Sequence, residues 1–150
     1  MPELPIQTQA FALKHALCMG AVSVNTVVSW ADDVYRSSTD VADWLATIAL
    51  SKTPDQAISA LSAVPTGVCS EDSWPWLKQL IAKALATQQT SPQAVAGYCY
   101  NLALNGDVPA YDCEALYQFE LEYDCVFAGF ASQQEVDKQV ITFFNRATVA

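Results

Sequence analysis

Apolar residues recur at helical spacing through most of this chain, and this periodicity constrains its fold more than any other feature. The clearest stripe follows an i, i+3, i+4, i+7, i+10, i+11 pattern: Val24, Val27, Val28, Ala31, Val34 and Tyr35. Polar residues occupy the opposite side of the same stretch, as in an amphipathic helix. Because no segment shows the sustained apolar–polar alternation of a half-buried strand, the sequence predicts an all-α fold.

Residues that favour helix N-termini divide the periodic stretches into eight helices: Ser23, Asp40, Thr53, Ser91 and a capping box that runs from Ser132 to Glu135. The helices with both ends marked are expected at about 4–19, 54–63, 73–88 and 110–128. Short loops favour antiparallel neighbours, as in helical hairpins or a HEAT-like stack. A length of 150 residues is typical of a single domain, 1–150.

A short internal similarity relates two of the predicted turns. The tripeptide Gly20-Ala21-Val22 precedes the second helix, and Gly106-Asp107-Val108 precedes the seventh. The match covers too few positions to establish a duplication. We interpret it as one helix–turn–helix connection that the chain uses twice.

The net charge is strongly negative, with 16 acidic and seven basic residues giving −9. Such a charge repels nucleic acids and anionic membranes and attracts basic partners, although it is also common on proteins that are simply soluble. The sequence has no basic, apolar leader at its start and no apolar run of about 20 residues. We therefore expect a cytoplasmic protein that binds neither nucleic acid nor membrane.

The sequence contains no recognisable catalytic or cofactor motif. Its five cysteines include no CxxC pair, and His15 is the only histidine, so a structural metal site is not expected. We expect the cysteines to be small buried hydrophobes, and His15 to be a packing or surface residue. No nucleophile elbow or phosphate-binding loop occurs. The sequence predicts no cofactor and no enzyme activity.

The acidic residues concentrate in the seventh helix and its approach, where six acids and no base lie between Asp107 and Asp124. The main apolar face of this helix is expected to comprise Ala115, Leu116, Phe119, Tyr123, Val126 and Phe127. A second apolar stripe, Tyr117, Leu121 and Cys125, stands opposite that face. A helix with two apolar stripes either lies inside the core or offers one stripe to a partner, and we favour the core.

Two further groups of residues suggest binding. Four aspartates surround the junction of the second and third helices: Asp32, Asp33, Asp40 and Asp43. Trp74 and Trp76 cannot point the same way along one helix, so one is expected to pack inward. The other is either a packing residue, which we favour, or an exposed anchor for a partner.

Several segments resemble small helical immunity proteins of bacterial polymorphic or contact-dependent toxin systems. Gly20-Ala21-Val22 followed by Val27-Val28-Ser29-Trp30-Ala31-Asp32 is similar to a "G-x-[VI]…[VI]-x-x-W-A-D" segment of that family, and 45–51 and 106–109 also fit. The resemblance covers about half of the chain in discontinuous pieces. It carries over no catalytic residue and does not identify a toxin.

The resemblance implies a protein that neutralises a cognate toxin, often a basic nuclease, by occluding it. Acids beside aromatic residues would suit a cationic cleft. The candidate partner-binding residues are Asp32, Asp33, Asp40, Asp43, Trp76, Asp107, Tyr111, Asp112, Glu114, Tyr117, Glu120, Leu121 and Asp124. The alternatives are a helical adaptor or scaffold with a different protein partner and, third, a small enzyme that uses a carboxylate cluster.

Overall fold

The computed structural model describes residues 4–37, 43–64 and 70–146, and this part of the chain forms eight α-helices and no strand. The helices are α1 (Ile6–Cys18), α2 (Val24–Ser37), α3 (Asp43–Ala49), α4 (Pro54–Ser62), α5 (Ser70–Ala86), α6 (Pro92–Leu104), α7 (Ala110–Phe127) and α8 (Gln133–Arg146). The predicted all-α class is confirmed. None of the described helices is long and apolar enough to cross a membrane.

Hydrogen bonds at three helix starts confirm three of the five predicted caps. The side-chain oxygens of Ser23, Thr53 and Ser91 each accept from the backbone N–H three residues later, at 3.1–3.2 Å. Each bond satisfies one N–H that has no partner within the helix. The positions of α2, α4 and α6 are therefore determined locally, by residues next to the apolar stripes.

The predicted start of α5 at residue 73 is wrong, because the helix already begins at Ser70. Glu71 and Asp72 lie in its first turn, where carboxylates interact favourably with the positive end of the helix dipole. Pro75 is thereby placed at the sixth residue of the helix, where it removes the N–H that would donate to the carbonyl of Glu71.

The helices form two groups of four with the same pattern of neighbours. In the first group α1 packs on α4, α2 packs on both α3 and α4, and α3 packs on α4. The second group repeats each of these contacts with α5, α6, α7 and α8 in the same order. The two groups join mainly through α1 and α5.

Buried residues occupy corresponding positions in the two groups. Leu13, Ala16 and Leu17 of α1 match Ile81, Ala84 and Leu85 of α5 at the same separation that relates cap Ser23 to cap Ser91, and all six are buried. That separation also relates Val27 to Val95 and Ala31 to Cys99, each 0% exposed. The shared pattern shows that one four-helix arrangement is built twice.

The turns after α1, α5, α6 and α7 are closed by the same pair of hydrogen bonds. In each, the residue with positive φ (Gly20, Gln88, Gly106 or Gly129) and its successor donate to carbonyls of the last helical turn, as in a Schellman motif. Gly20 and Gly106 thus use the same turn, as the sequence predicts. The position that corresponds to Gly20 in the second group is Gln88, so the glycine similarity does not mark the repeat.

The groups differ most in their third helix. α3 has 7 residues and ends directly after its buried residues Leu45 and Ile48. α7 has 18 residues and continues for about two turns beyond the similarly spaced Leu116 and Phe119. The additional turns bury Tyr123, whose hydroxyl donates to the Asp137 carboxylate of α8 at 2.6 Å.

Candidate protein-binding face

Asp112 belongs to an internal contact between α5 and α7 and is not available to a partner. Its Oδ2 accepts from Trp74 Nε1 at 2.7 Å and from Lys78 Nζ at 2.9 Å, and both charged side chains are only 13–14% exposed. Lys78 also lies over the rings of Trp74 and Tyr111. Asp112 therefore adds no free negative charge to the acidic surface predicted on α7, because Lys78 of another helix neutralises it.

Two more of the six acids near α7 face other parts of the protein. The side-chain amide of Gln139 on α8, oriented with its nitrogen toward α7, donates to Glu122 at 2.6 Å. Asp107 is half-buried, and this burial raises the pKa of its carboxyl group against the opposing effect of Lys14. Neither carboxylate is fully exposed on the outer surface.

The remaining acids flank the second apolar stripe of α7. Glu114 and Asp124 are exposed, and Glu120 is half-buried. Between them Tyr117 is 37% exposed and Leu121 59% exposed. The prediction that the stripe lies in the core is therefore wrong, since α6 and α8 cover α7 through its opposite side.

The exposed stripe continues onto α6. The rings of Tyr100 and Tyr117 meet edge to face with centroids 5.8 Å apart, and Leu104, one turn beyond Tyr100, is 57% exposed. We call the exposed set Leu104, Glu114, Tyr117, Leu121 and Asp124 the α6–α7 face. α7 itself contains no lysine, arginine or histidine.

Phe127, the last residue of α7, is not buried as the predicted apolar face required. Phe127 shares the angular position of Leu116, three turns earlier, and was expected to be buried with it. It is instead 96% exposed, although Val126 beside it is half-buried and packs against the core. Phe130, in the turn that follows, is 86% exposed. Neither ring is among the partner-binding residues predicted from the sequence.

The second predicted acidic surface lies on α2 and α3, which pack against each other. Asp33 and Asp43 are exposed and Asp32 is half-buried, while Asp40 lies outside the described residues. Arg36 is also exposed, within one helical turn of Asp32 and Asp33. This surface therefore combines charges of both signs, unlike the α6–α7 face.

The two tryptophans of α5 both pack. Trp74 is 1% exposed, and its ring meets that of Phe144 at 6.4 Å. Trp76 is half-buried against the core, so it is not a freely exposed anchor. Tyr111 is 66% exposed, but one face of its ring is occupied by the Lys78 ammonium group at 5.6 Å.

The structure places His15 in a buried pair with Tyr98 of α6. Its Nδ1 lies 2.7 Å from the Tyr98 hydroxyl, the Phe11 ring packs edge to face on it, and Nε2 has no hydrogen-bond partner. Burial lowers the pKa of His15 to about 4, and Lys14 contributes in the same direction. The pair joins α1 to α6 and holds His15 neutral at physiological pH.

The cysteines are less buried than expected. Cys99 is fully buried, Cys113 is half-buried, and Cys18 and Cys125 are exposed; all four are free thiols. Cys69 lies outside the described residues. Cys18 is the last residue of α1.

Within the described ranges no group of three or more histidine, cysteine, aspartate or glutamate side chains is arranged to hold a metal ion. The strongest outward feature is therefore the α6–α7 face with the adjoining turn. Comparisons of the chain with protein-family models, with curated proteins and with solved structures found no significant match.

Proposed function

We propose that this protein binds a basic protein through the α6–α7 face and blocks that partner's functional surface. The observation that carries the proposal is the outward side of α7, where Tyr117 and Leu121 lie exposed between Glu114 and Asp124 with no base on the helix. Exposed aromatic and aliphatic side chains beside unpaired charges are typical of protein interfaces.

The two kinds of residue have different roles in this proposal. The carboxylates attract a cationic surface over a distance of about one Debye length, which speeds encounter. Tyr117 and Leu121 lose contact with water when the partner docks, which slows dissociation. Because α7 is held by α6 and α8, little of this surface has to be ordered on binding.

The resemblance to immunity proteins supports a toxin as the partner and occlusion as the mechanism. An occluding inhibitor needs a rigid, complementary surface and no chemistry of its own, so we propose that the protein is not an enzyme. A nuclease-type toxin is the partner class that best suits an acidic face, because its cleft must be cationic to hold nucleic acid.

The test is a binding measurement between the purified protein and the basic product of the neighbouring gene. We expect an association rate that falls steeply as salt rises, and inhibition of the partner's activity at equimolar ratio. The double substitution Glu114→Gln/Asp124→Asn should lower the association rate at low salt roughly three- to tenfold.

The matched control is Asp33→Asn/Asp43→Asn, which removes the same charge from α2 and α3. This control should change the association rate by less than about twofold, since those acids lie outside the proposed face. Equal effects of the two double variants would show that only net charge matters. No binding to a basic neighbour, or no such neighbour, would contradict the proposal.

A further inference from the structure

We infer that the turn after α7 is a rigid two-ring anchor, in which Phe127 and Phe130 enter an apolar pocket that is edged by cations on the partner protein. The inference rests on the proposed function and adds the residues that provide slow dissociation. Phe127 is 96% and Phe130 86% exposed, more than any other large apolar side chain in the described ranges.

Backbone hydrogen bonds fix the turn from which both rings extend. The N–H of Gly129 donates to Val126 O at 3.0 Å, and the N–H of Phe130 donates to Cys125 O at 2.8 Å. Gly129 has a φ of 86°, which a residue with a side chain rarely adopts. The rings therefore extend from a closed turn, which reduces the conformational entropy lost on binding.

After α1 and α6, the same turn is followed by buried apolar residues. After Gly20 the chain returns to the core through Ala21 and Val22, which are 4% and 8% exposed. After Gly106 it returns through Val108, which is 4% exposed. Only the turn after α7, among these three glycine turns, leaves its apolar residues in water. Turn geometry therefore does not cause the exposure of Phe130.

The exposed rings also lie on the part of α7 that has no counterpart in α3. The additional turns stabilise the fold through Tyr123, but their last residue, Phe127, makes no such contribution because its side chain is in solvent. A large apolar side chain that is almost fully exposed gains free energy when a partner removes it from water.

The charges beside the rings specify the partner. Glu120, Asp124 and Phe127 follow an i, i+4, i+7 spacing and so share one stripe of α7. A pocket that accepts Phe127 therefore brings its rim close to two carboxylates, which favours lysine or arginine at that rim. A second copy of this chain, docked through the same turn, would bring like charges together, and an anionic membrane would repel them.

The inference can be tested by placing the photo-crosslinker benzoylphenylalanine at position 130 of the full chain in its native host, with the same crosslinker at exposed Leu50 as the control. The residue to which it attaches is mapped by mass spectrometry. We expect position 130, and not position 50, to attach to an apolar residue of a basic protein, close to lysine or arginine. The affinity of that purified protein for Phe127→Ala/Phe130→Ala should be at least about tenfold weaker than for the unmodified chain.

The possible results separate this inference from the proposed function. A basic partner that binds the double variant with unchanged affinity would overturn the anchor and leave the acidic face in place. An acidic or neutral partner that requires both rings would support the anchor and contradict the proposed function. Crosslinking of position 130 to a second copy or to lipid, or no crosslink beyond that seen at position 50, would overturn the inference.

Discussion

The two four-helix groups have the same pattern of buried residues and differ at the surface. Their helices contact one another in the same pattern, and their buried residues match from α1 and α5 through α2 and α6. The outer surface of the first group carries Arg36 among its aspartates, whereas that of the second combines unpaired acids with exposed rings. The core therefore determines the fold, and the longer α7 determines where the proposed interface lies.

The largest effects should come from the shared core and should be similar in both groups. Leu45 and Leu116 are 1% and 0% exposed in the third helix of each group. Each Leu→Ala substitution leaves a cavity and should lower the free energy of unfolding by about 2–5 kcal/mol, measured by urea denaturation. If only one of the two variants were destabilised, the proposed equivalence of the groups would be wrong.

The His15–Tyr98 pair should make stability depend on pH. Burial lowers the pKa of His15 in the folded protein to about 4, below its ordinary value of 6.5, so the unfolded chain binds its proton first as pH falls. The contribution is fully present above pH 6.5 and declines to pH 4, by about 3 kcal/mol. His15→Gln should remove this part of the slope in denaturation curves recorded between those pH values; an unchanged slope would contradict it.

The contact between α5 and α7 should have an intermediate effect. Asp112→Ala leaves Lys78 and the Trp74 N–H without their shared acceptor and should cost about 1–3 kcal/mol of unfolding free energy. The matched control Asp33→Ala removes an exposed aspartate from α2 and should change stability by less than about 0.5 kcal/mol. Equal costs would mean that Asp112 does not hold the helices together.

The smallest effect on stability should come from the exposed rings. Phe127→Ala/Phe130→Ala removes side chains that already face water, so the unfolding free energy should change by less than about 0.5 kcal/mol. Thermal unfolding followed by circular dichroism measures this directly. A loss of several kcal/mol would show that the rings stabilise the fold and would remove the basis for an anchor.

Local sequence patterns were sufficient to predict the helices and most of their ends. The caps at Ser23, Thr53 and Ser91 depend on neighbours three residues away, so they are readable from the chain. The predicted start of α5 was three residues late. The repeat escaped detection because its matching buried residues, such as Leu17 and Leu85 or Val27 and Val95, are scattered singly along the helices and form no contiguous motif.

The candidate site was less predictable, because it depends on contacts between distant segments. Among the acids near α7, Asp112 is neutralised by Lys78 and Glu122 accepts a hydrogen bond from Gln139, and both partners lie on other helices. Tyr117 and Leu121 point outward because α6 and α8 cover other sides of α7. Helical periodicity alone did not show which apolar side would be covered. Phe127 has the angular position of the buried Leu116 but is 96% exposed, which no helical pattern reveals.

The most direct test of the central claim is hydroxyl-radical footprinting of the protein alone and in complex with its basic partner. We predict that the complex protects Tyr117, Leu121, Phe127 and Phe130, which lie on α7 and the turn after it. Tyr35 and Leu50, exposed residues of the first group, should be oxidised equally in both states. Protection of Tyr35 and Leu50 without protection of the α7 residues would contradict the account.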